Sequence, residues 1–252
     1  MAIELLRRRP PSELLPSRAA EGLCKGFEGL SLKSYPDPAS ERAKTGKGKG
    51  DPWTIGWGHT GPEVVEGLVW TLAQAQEAFI QDLAEAARKV RDHITVPLTQ
   101  GEFDALTSMA FNLRHFPPPS LKACLNGGTT DKGKVMAPGS YGAAMYEVPR
   151  NCRAGGVPMR GIYRRRLAEA CVFSDLPWEN ACSVSVIRLK VDENNNIDPV
   201  ESTSLEDTLM RARQDIPDAR PSPTPVFEKN WPDLTPPPKP EASVTIIEDK
   251  PE

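Results

Sequence analysis

The sequence predicts a mixed α+β fold in which a small β-sheet lobe leans on a larger helical lobe, with a ligand cleft in the gap between them. Three observations predict it. A capped helical segment opens the ordered part, two short stretches of alternating apolar and polar residues follow it, and amphipathic helical patterns fill most of what remains. Two short strands cannot bury themselves, so the sheet has to rest on a helix. No internal repeat is present.

Residues 1–16 hold a basic cluster and two adjacent prolines and read as an irregular N-terminal arm. Ser17 is an N-cap candidate for "RAAEGLCKGFEG", where Ala20, Leu23 and Phe27 recur at helical spacing and Gly29 is the stop signal. "LSLKSY" and, after a connection rich in glycine and lysine, "WTIGWG" alternate with a period of two and are expected as strands. Thr71 opens "TLAQ", a capping box in its Gln form. Behind it Leu72, Ala75, Phe79, Leu83, Ala86, Val90 and Ile94 step along one face. Thr99 opens a second box, "TQGE", leading into Phe103, Leu106, Ala110 and Leu113. Shorter helical segments are expected near 120–126, 140–148 and 160–173.

After residue 182 the composition breaks. Residues 183–252 hold 11 of the 26 prolines and a triple asparagine, too little apolar surface to offset the entropy of ordering, and are expected to be a mostly disordered acidic tail. A brief β-prone run, "SVSVIRLKV", and one or two helical turns in "LEDTLMRARQ" are the exceptions. The tail carries eight Lys and Arg against fourteen Asp and Glu, net −6, which leaves residues 1–182 at net +3. A mildly basic body suits an anionic polymeric target. The ordered unit is therefore expected over 17–182, long enough to bury one substantial core.

No stretch approaches the roughly 18 consecutive apolar residues of a membrane span, and the N-terminus lacks an apolar block of signal-peptide length. The expected starting point is a cytoplasm. The five cysteines, Cys24, Cys124, Cys152, Cys171 and Cys182, form no C-x-x-C, so buried or half-buried free thiols are expected rather than disulfides or a zinc site.

Two carboxylates stand out. Hydrolysing a glycosidic bond needs a protonated acid beside the leaving oxygen and a second carboxylate that directs water or attacks the sugar. Glu28, at the end of the first helix, and Asp37, just past the first strand, are positioned for two such different environments. The surrounding residues carry more than the spacing does. "FEGLSLKSYPDP" followed by "PWTIGWGHT", then "VPLTQGEFDALTSMAFN" at 96–112 and "GIYRRRLAEACVF" at 161–173, form four ordered blocks over roughly residues 17–175. In these blocks the chain resembles the phage-type lysozymes, the endolysins of glycoside hydrolase family 24.

That resemblance implies a lysozyme-like fold with the active-site cleft between the lobes. It also implies roles by position: Glu28 as general acid, Asp37 as the carboxylate that positions or activates water, and Thr54 as the residue that helps hold that water. Family members usually work with inversion, which needs the carboxyl groups about 6.5–9.5 Å apart. The sequence departs from the pattern in its loop, with sixteen residues between Asp37 and Thr54 where about five are usual. The extra piece is expected to bulge outward. It also leaves Asp51, likewise followed by proline, as the competitor to Asp37, which the count from Glu28 favours. A second departure is Arg114 with three following prolines, where a glycine and a short turn are usual.

Further residues follow from position and chemistry. Trp57, with Trp53 and Trp70, falls near the cleft, where an indole face can stack on a sugar or pack in the core. Asn112 matches a residue beside the substrate, or links the core. His59, in "GHT", is expected behind the strand, hydrogen-bonded to hold the loop rather than acting as a base. Lys44, Lys47 and Lys49 lack phosphate-loop spacing and are expected as a flexible basic loop that attracts anionic glycan. Consecutive Arg164, Arg165 and Arg166 point in three directions on a helix and are expected to pair with acids, Glu169 among them, rather than with nucleic acid. The three histidines share no metal-ligand spacing, and neither metal nor cofactor is expected.

The resemblance implies a muramidase that cuts the β-1,4 bond between N-acetylmuramic acid and N-acetylglucosamine of bacterial peptidoglycan, as a monomer held in the host cytoplasm until release to the wall. The alternative is a virion-associated wall-binding or structural protein docked on a virion protein through its tail. A lytic transglycosylase normally manages with the glutamate alone, so Asp37 and Thr54 count against it.

Overall fold

A computed structural model describes residues 7–37, 41–46, 48–183, 189–198 and 201–213. The order of elements is α1 (Arg18–Phe27), β1 (Ser31–Pro36), α2 (Glu41–Thr45), β2 (Trp53–Gly56), α3 (Leu72–His93), α4 (Gln100–Asn112), α5 (Pro119–Asn126), β3 (Gly128–Thr129), β4 (Val135–Met136), α6 (Tyr141–Glu147), β5 (Arg153–Ala154), β6 (Val157–Pro158), α7 (Arg160–Phe173), α8 (Trp178–Ser183) and α9 (Leu205–Ala212). This is the mixed α+β arrangement the patterns predict.

Local signals set the helix starts. The Ser17 hydroxyl accepts from the Ala19 amide at the head of α1. Both capping boxes form: Thr71 and Gln74 exchange bonds at the start of α3, and Thr99 and Glu102 do so at the start of α4. Caps of this kind are worth about 1 kcal/mol each. α3 buries a single stripe, Ala75, Ala78, Phe79, Leu83, Ala86, Ala87 and Val90, whereas α4 is buried all round from Glu102 to Ala110. The second pattern marks α4 as the central helix, and α1, α3 and α7 pack around it.

The main core gathers Leu14, Leu23, Phe103, Leu106, Met109, Leu121, Leu125 and Leu167, all fully buried. Each such side chain contributes roughly 1.5–3 kcal/mol of burial. A second, smaller cluster of Ala20, Cys24, Phe79 and Leu83 has Trp57 and Phe111 packed against it and joins the helices to the sheet lobe. At Gly22 the helices approach too closely for any side chain: a Cβ there would stand 2.4 Å from the Trp178 ring.

β1 and β2 pair antiparallel with Tyr35 opposite Thr54 and Pro36 opposite Trp53, and the register shifts between Ser31 and Tyr35. The other edge of β1 is covered by the chain at 68–70, through Ser34 N–H to Leu68 O (2.9 Å) and Trp70 N–H to Leu32 O (2.8 Å). The segment between β1 and β2, expected as a loop, carries the short helix α2. Its Glu-Arg-Ala-Lys run is made of good helix formers, and Gly46 follows the last residue of the helix.

Both ends of the ordered unit are tied down more firmly than composition suggested. In the arm, Arg9 and Leu98 exchange two backbone bonds of 2.8 Å, Leu14 is fully buried, and Arg8 pairs with Glu102 (2.6 Å) while lying 3.7 Å over the Tyr141 ring. Beyond residue 182, α9 lays Leu205, Leu209 and Ala212 into the main core, and Tyr163 donates to the Thr203 carbonyl (2.7 Å). Packing therefore does not stop at 182. The bridge Val191–Ile197 is what is seen of the β-prone region; residues 184–188 and 214–252, which hold much of the expected tail, lie outside the described residues.

All five cysteines are free, four of them buried and Cys182 half-buried. Burial pushes the thiols of Cys24, Cys171 and Cys182 up to about 12, so they stay protonated and unreactive.

Candidate functional site

Glu28 is the C-cap of α1: its amide closes the helix onto Cys24 O (2.9 Å), while its extended backbone turns the side chain out of the helix. The side chain is 25% exposed and its Oε1 accepts from Arg165 Nη1. Its Oε2 faces the turn after β2, where a Cβ on Gly58 would lie 3.7 Å away. Gly58 has φ +90°, a backbone conformation that calls for glycine. Glu28 lines a cavity of about 280 Å³ with Gly26, Phe27, Asn112, Ile162 and Arg164 among its neighbours.

Arg165 is nearly buried and is held by four groups besides Glu28. Nε donates to Glu169 Oε1 (3.1 Å), Nη2 to Ser108 O (3.2 Å) and Ser108 Oγ (3.4 Å), and Nη2 lies 3.9 Å from Cys24 Sγ. Burial works against its charge, but the neighbouring Glu169 and Glu28 carboxylates outweigh burial and raise its pKa. The guanidinium is therefore a permanent cation. Arg166, fully buried, donates to Glu169 Oε2, Asn112 Oδ1 and Asn151 O. Arg164 instead donates to Cys182 O (2.9 Å) and lies over the Phe27 ring. Arg165 and Arg166 thus both pair with Glu169, while Arg164 turns away from it.

Asp37 follows β1 directly. Its amide donates to both Gly50 O (3.2 Å) and Pro52 O (3.0 Å), which fastens the far end of the inserted loop to the strand. Asp51 stands on the exposed outer part of that junction. Thr54 is opposite Tyr35 in the register, and Asp37 is two residues beyond Tyr35, so alternation places all three on one face. Burial is the largest cause of the raised Tyr35 pKa, and the charges of Glu28 and Asp37 add to it. This phenol, which the sequence reading passed over, feels both carboxylates. Only the Tyr-x-Asp spacing on one strand face could have pointed to it.

Glu28 and Asn112 meet at the cavity; Asp37 and Thr54 belong to the sheet face and do not line it. Trp57 is half-buried, edge-on to Phe79 at 5.6 Å, with the Lys25 ammonium 4.4 Å from its ring centroid. One indole face is thus already covered. His59 Nδ1 lies 2.8 Å from Asp82 Oδ2 and Nε2 lies 2.7 Å from Glu63 Oε1, while its backbone exchanges bonds with Ile55. Both ring nitrogens are engaged in holding the turn to α3. Burial opposes the imidazolium, yet Glu63 and Asp82 prevail and raise its pKa. Trp70 stacks on the same ring at 5.4 Å. Among the described residues no three His, Cys, Asp or Glu side chains converge as a metal set.

The phage lysozyme family model matches residues 25–169. Among known proteins, the endolysin of Bacillus phage PZA is 30% identical over 211 residues, covering 80% of this chain and 74% of that one. The endolysin of Lactococcus phage c2 is 34% identical over 157 residues, covering 60% of this chain and 57% of that one. Among solved structures, the endolysin from Escherichia coli O157:H7 phage FAHEc1 matches with a TM-score of 0.50 and 26% identity, over 64% of this chain and 94% of that one.

Proposed function

The chain belongs to the phage lysozyme family, and from that premise we infer that it is a peptidoglycan muramidase serving bacterial cell-wall lysis by a phage, hydrolysing the β-1,4 bond between N-acetylmuramic acid and N-acetylglucosamine. The observation that carries this reading is Glu28 at a helix end, partly buried beside a cavity, with one oxygen engaged by a buried arginine.

In the mechanism we propose, Glu28 is the general acid. Arg165 fixes Oε1, which leaves Oε2 to carry the proton and deliver it to the glycosidic oxygen. Asp37 directs water to the opposite face of the sugar, and Thr54, on the same strand face, helps hold that water. The two carboxylates are held by different parts of the fold: Glu28 by the end of α1 and the Arg165 side chain, Asp37 by the edge of the small sheet. Asn112 and Trp57 border the sugar site, and His59 keeps the turn in place. The enzyme works as a monomer without a cofactor. Among the described residues no helix is long and apolar enough to cross a membrane; a cytoplasmic stage before release to the wall belongs to the same proposal.

Glu28→Gln keeps the shape and the contact with Arg165 but has no acidic proton. Zymograms and turbidity clearing of a cell-wall suspension should fall by at least about a thousandfold. Clearing at the wild-type rate would refute the assignment. Product analysis tests the finer claim: inversion at a β-linkage releases the α anomer first, whereas an anhydromuramic end would identify a lytic transglycosylase.

A further inference from the structure

Lys25 lies on α1 three residues before Glu28, and no step described above uses it. Its ammonium donates to Glu21 Oε1 (2.6 Å), one turn back on the same helix, and to Gln76 Oε1 (2.7 Å), near the start of α3. It stands 4.4 Å from the ring centroid of Trp57 and 4.7 Å from that of Phe79. Glu21 is only 3% exposed and its Oε2 is buried without a hydrogen-bond partner among the described residues, and Lys25 is a cation that offsets this carboxylate. One ammonium therefore joins α1, α3 and the turn after β2.

That turn stands against the candidate acid. The residue after Trp57 is Gly58, whose backbone faces Glu28 Oε2. Where Trp57 sits decides how closely the sheet lobe closes on the acid.

We propose that Lys25 is a positioning residue for hydrolysis: its ammonium clamps Trp57, and through it the Trp57–Gly58 turn, at a fixed height over Glu28. A cation held over two rings in a largely water-excluded spot is attracted to both, and its two hydrogen bonds fix where it stands. Shifting the surroundings of a reacting group by about 1 Å can cost up to about a hundredfold in rate. The inference rests on the muramidase reading.

The test measures kcat and KM on soluble peptidoglycan fragments, with full-length protein well below its thermal midpoint. Lys25→Met keeps the stem and removes the charge and both donors; kcat should fall about tenfold while KM stays within about twofold. Lys25→Arg retains charge, donors and stacking and should recover kcat to within about threefold of wild type. Wild-type kcat in Lys25→Met, or equal impairment of Lys25→Arg and Lys25→Met, overturns the proposal, because a packing role alone needs no charge. Should Lys25→Met fail to fold, Gln76→Ala releases the ammonium from α3 and should lower kcat about threefold at unchanged KM; no change overturns the proposal. An inactive wild type would sink the muramidase reading itself, whereas an active wild type with an indifferent Lys25 sinks only this inference.

Discussion

Arg165 donates to Glu28 across 137 positions of sequence, and the same guanidinium reaches Glu169 and Ser108 in the buried centre of the helical lobe. The candidate acid is thus fastened to the best-packed part of the molecule rather than to its own helix alone. Glu28 has one flexible partner less to wait for when a substrate arrives, because its carboxylate is already oriented.

Arg165→Met leaves Glu28 and the fully buried Glu169 short of a cation. Removing one member of a buried ionic network costs about 3–5 kcal/mol, so urea unfolding should show a loss of that order together with loss of wall clearing. Unchanged stability would mean that Arg166 alone satisfies Glu169.

His59 links stability to pH through its two carboxylates. Its pKa is raised on folding, so the stability it contributes is fully present below its unfolded pKa of about 6.5 and is lost as pH rises through the folded value. In urea titrations the gap between wild type and His59→Gln should be wider at about pH 6 than at about pH 8.5. A gap of constant size at both would show that the ring acts by packing on Trp70 alone.

Asp104 acts through the start of α1. It accepts from the Ser17 amide (2.9 Å), the Ser17 hydroxyl and Gln100 (3.1 Å), and complete burial pushes its carboxyl up to about 7. An acid raised on folding keeps a proton that the unfolded chain has already released, so it lowers stability progressively between about pH 4 and pH 7. Asp104→Asn cannot ionise. Wild type should therefore lose roughly 4 kcal/mol relative to this variant across that window. Parallel stability curves for the two proteins would contradict the assignment.

Leu209, in α9, is 7% exposed and sits in the main core. Leu209→Ala should cost about 2 kcal/mol, a penalty that a solvated appendage would not pay. Truncation after residue 182 should lower the thermal midpoint. Equal midpoints for full-length protein and residues 1–182 would show that α9 contributes nothing to stability.

Much of the fold was legible because its signals are local. Ser17, Thr71 and Thr99 cap helices through side chains reaching no more than three residues, and "LSLKSY" and "WTIG" alternate with the strand period. The site was legible in part. Glu28, Asp37 and Thr54 stand in an ordered pattern, and the pairing of Arg166 with Glu169 three residues on follows from helical spacing. The hairpins β3–β4 and β5–β6 escaped notice because each strand is two residues long and mostly exposed, leaving no periodicity to read.

By itself, the sequence determined the helix starts, the α+β order of elements and the family. The tertiary structure alone decided that Arg165, not Arg164 or Arg166, holds Glu28, that Lys25 covers Trp57, that Tyr35 feels both carboxylates, and that α9 belongs to the core. The physical reason is range: caps and periodicity act within a turn or a strand, whereas pairing a charge or burying a leucine depends on which distant surface the chain brings against it.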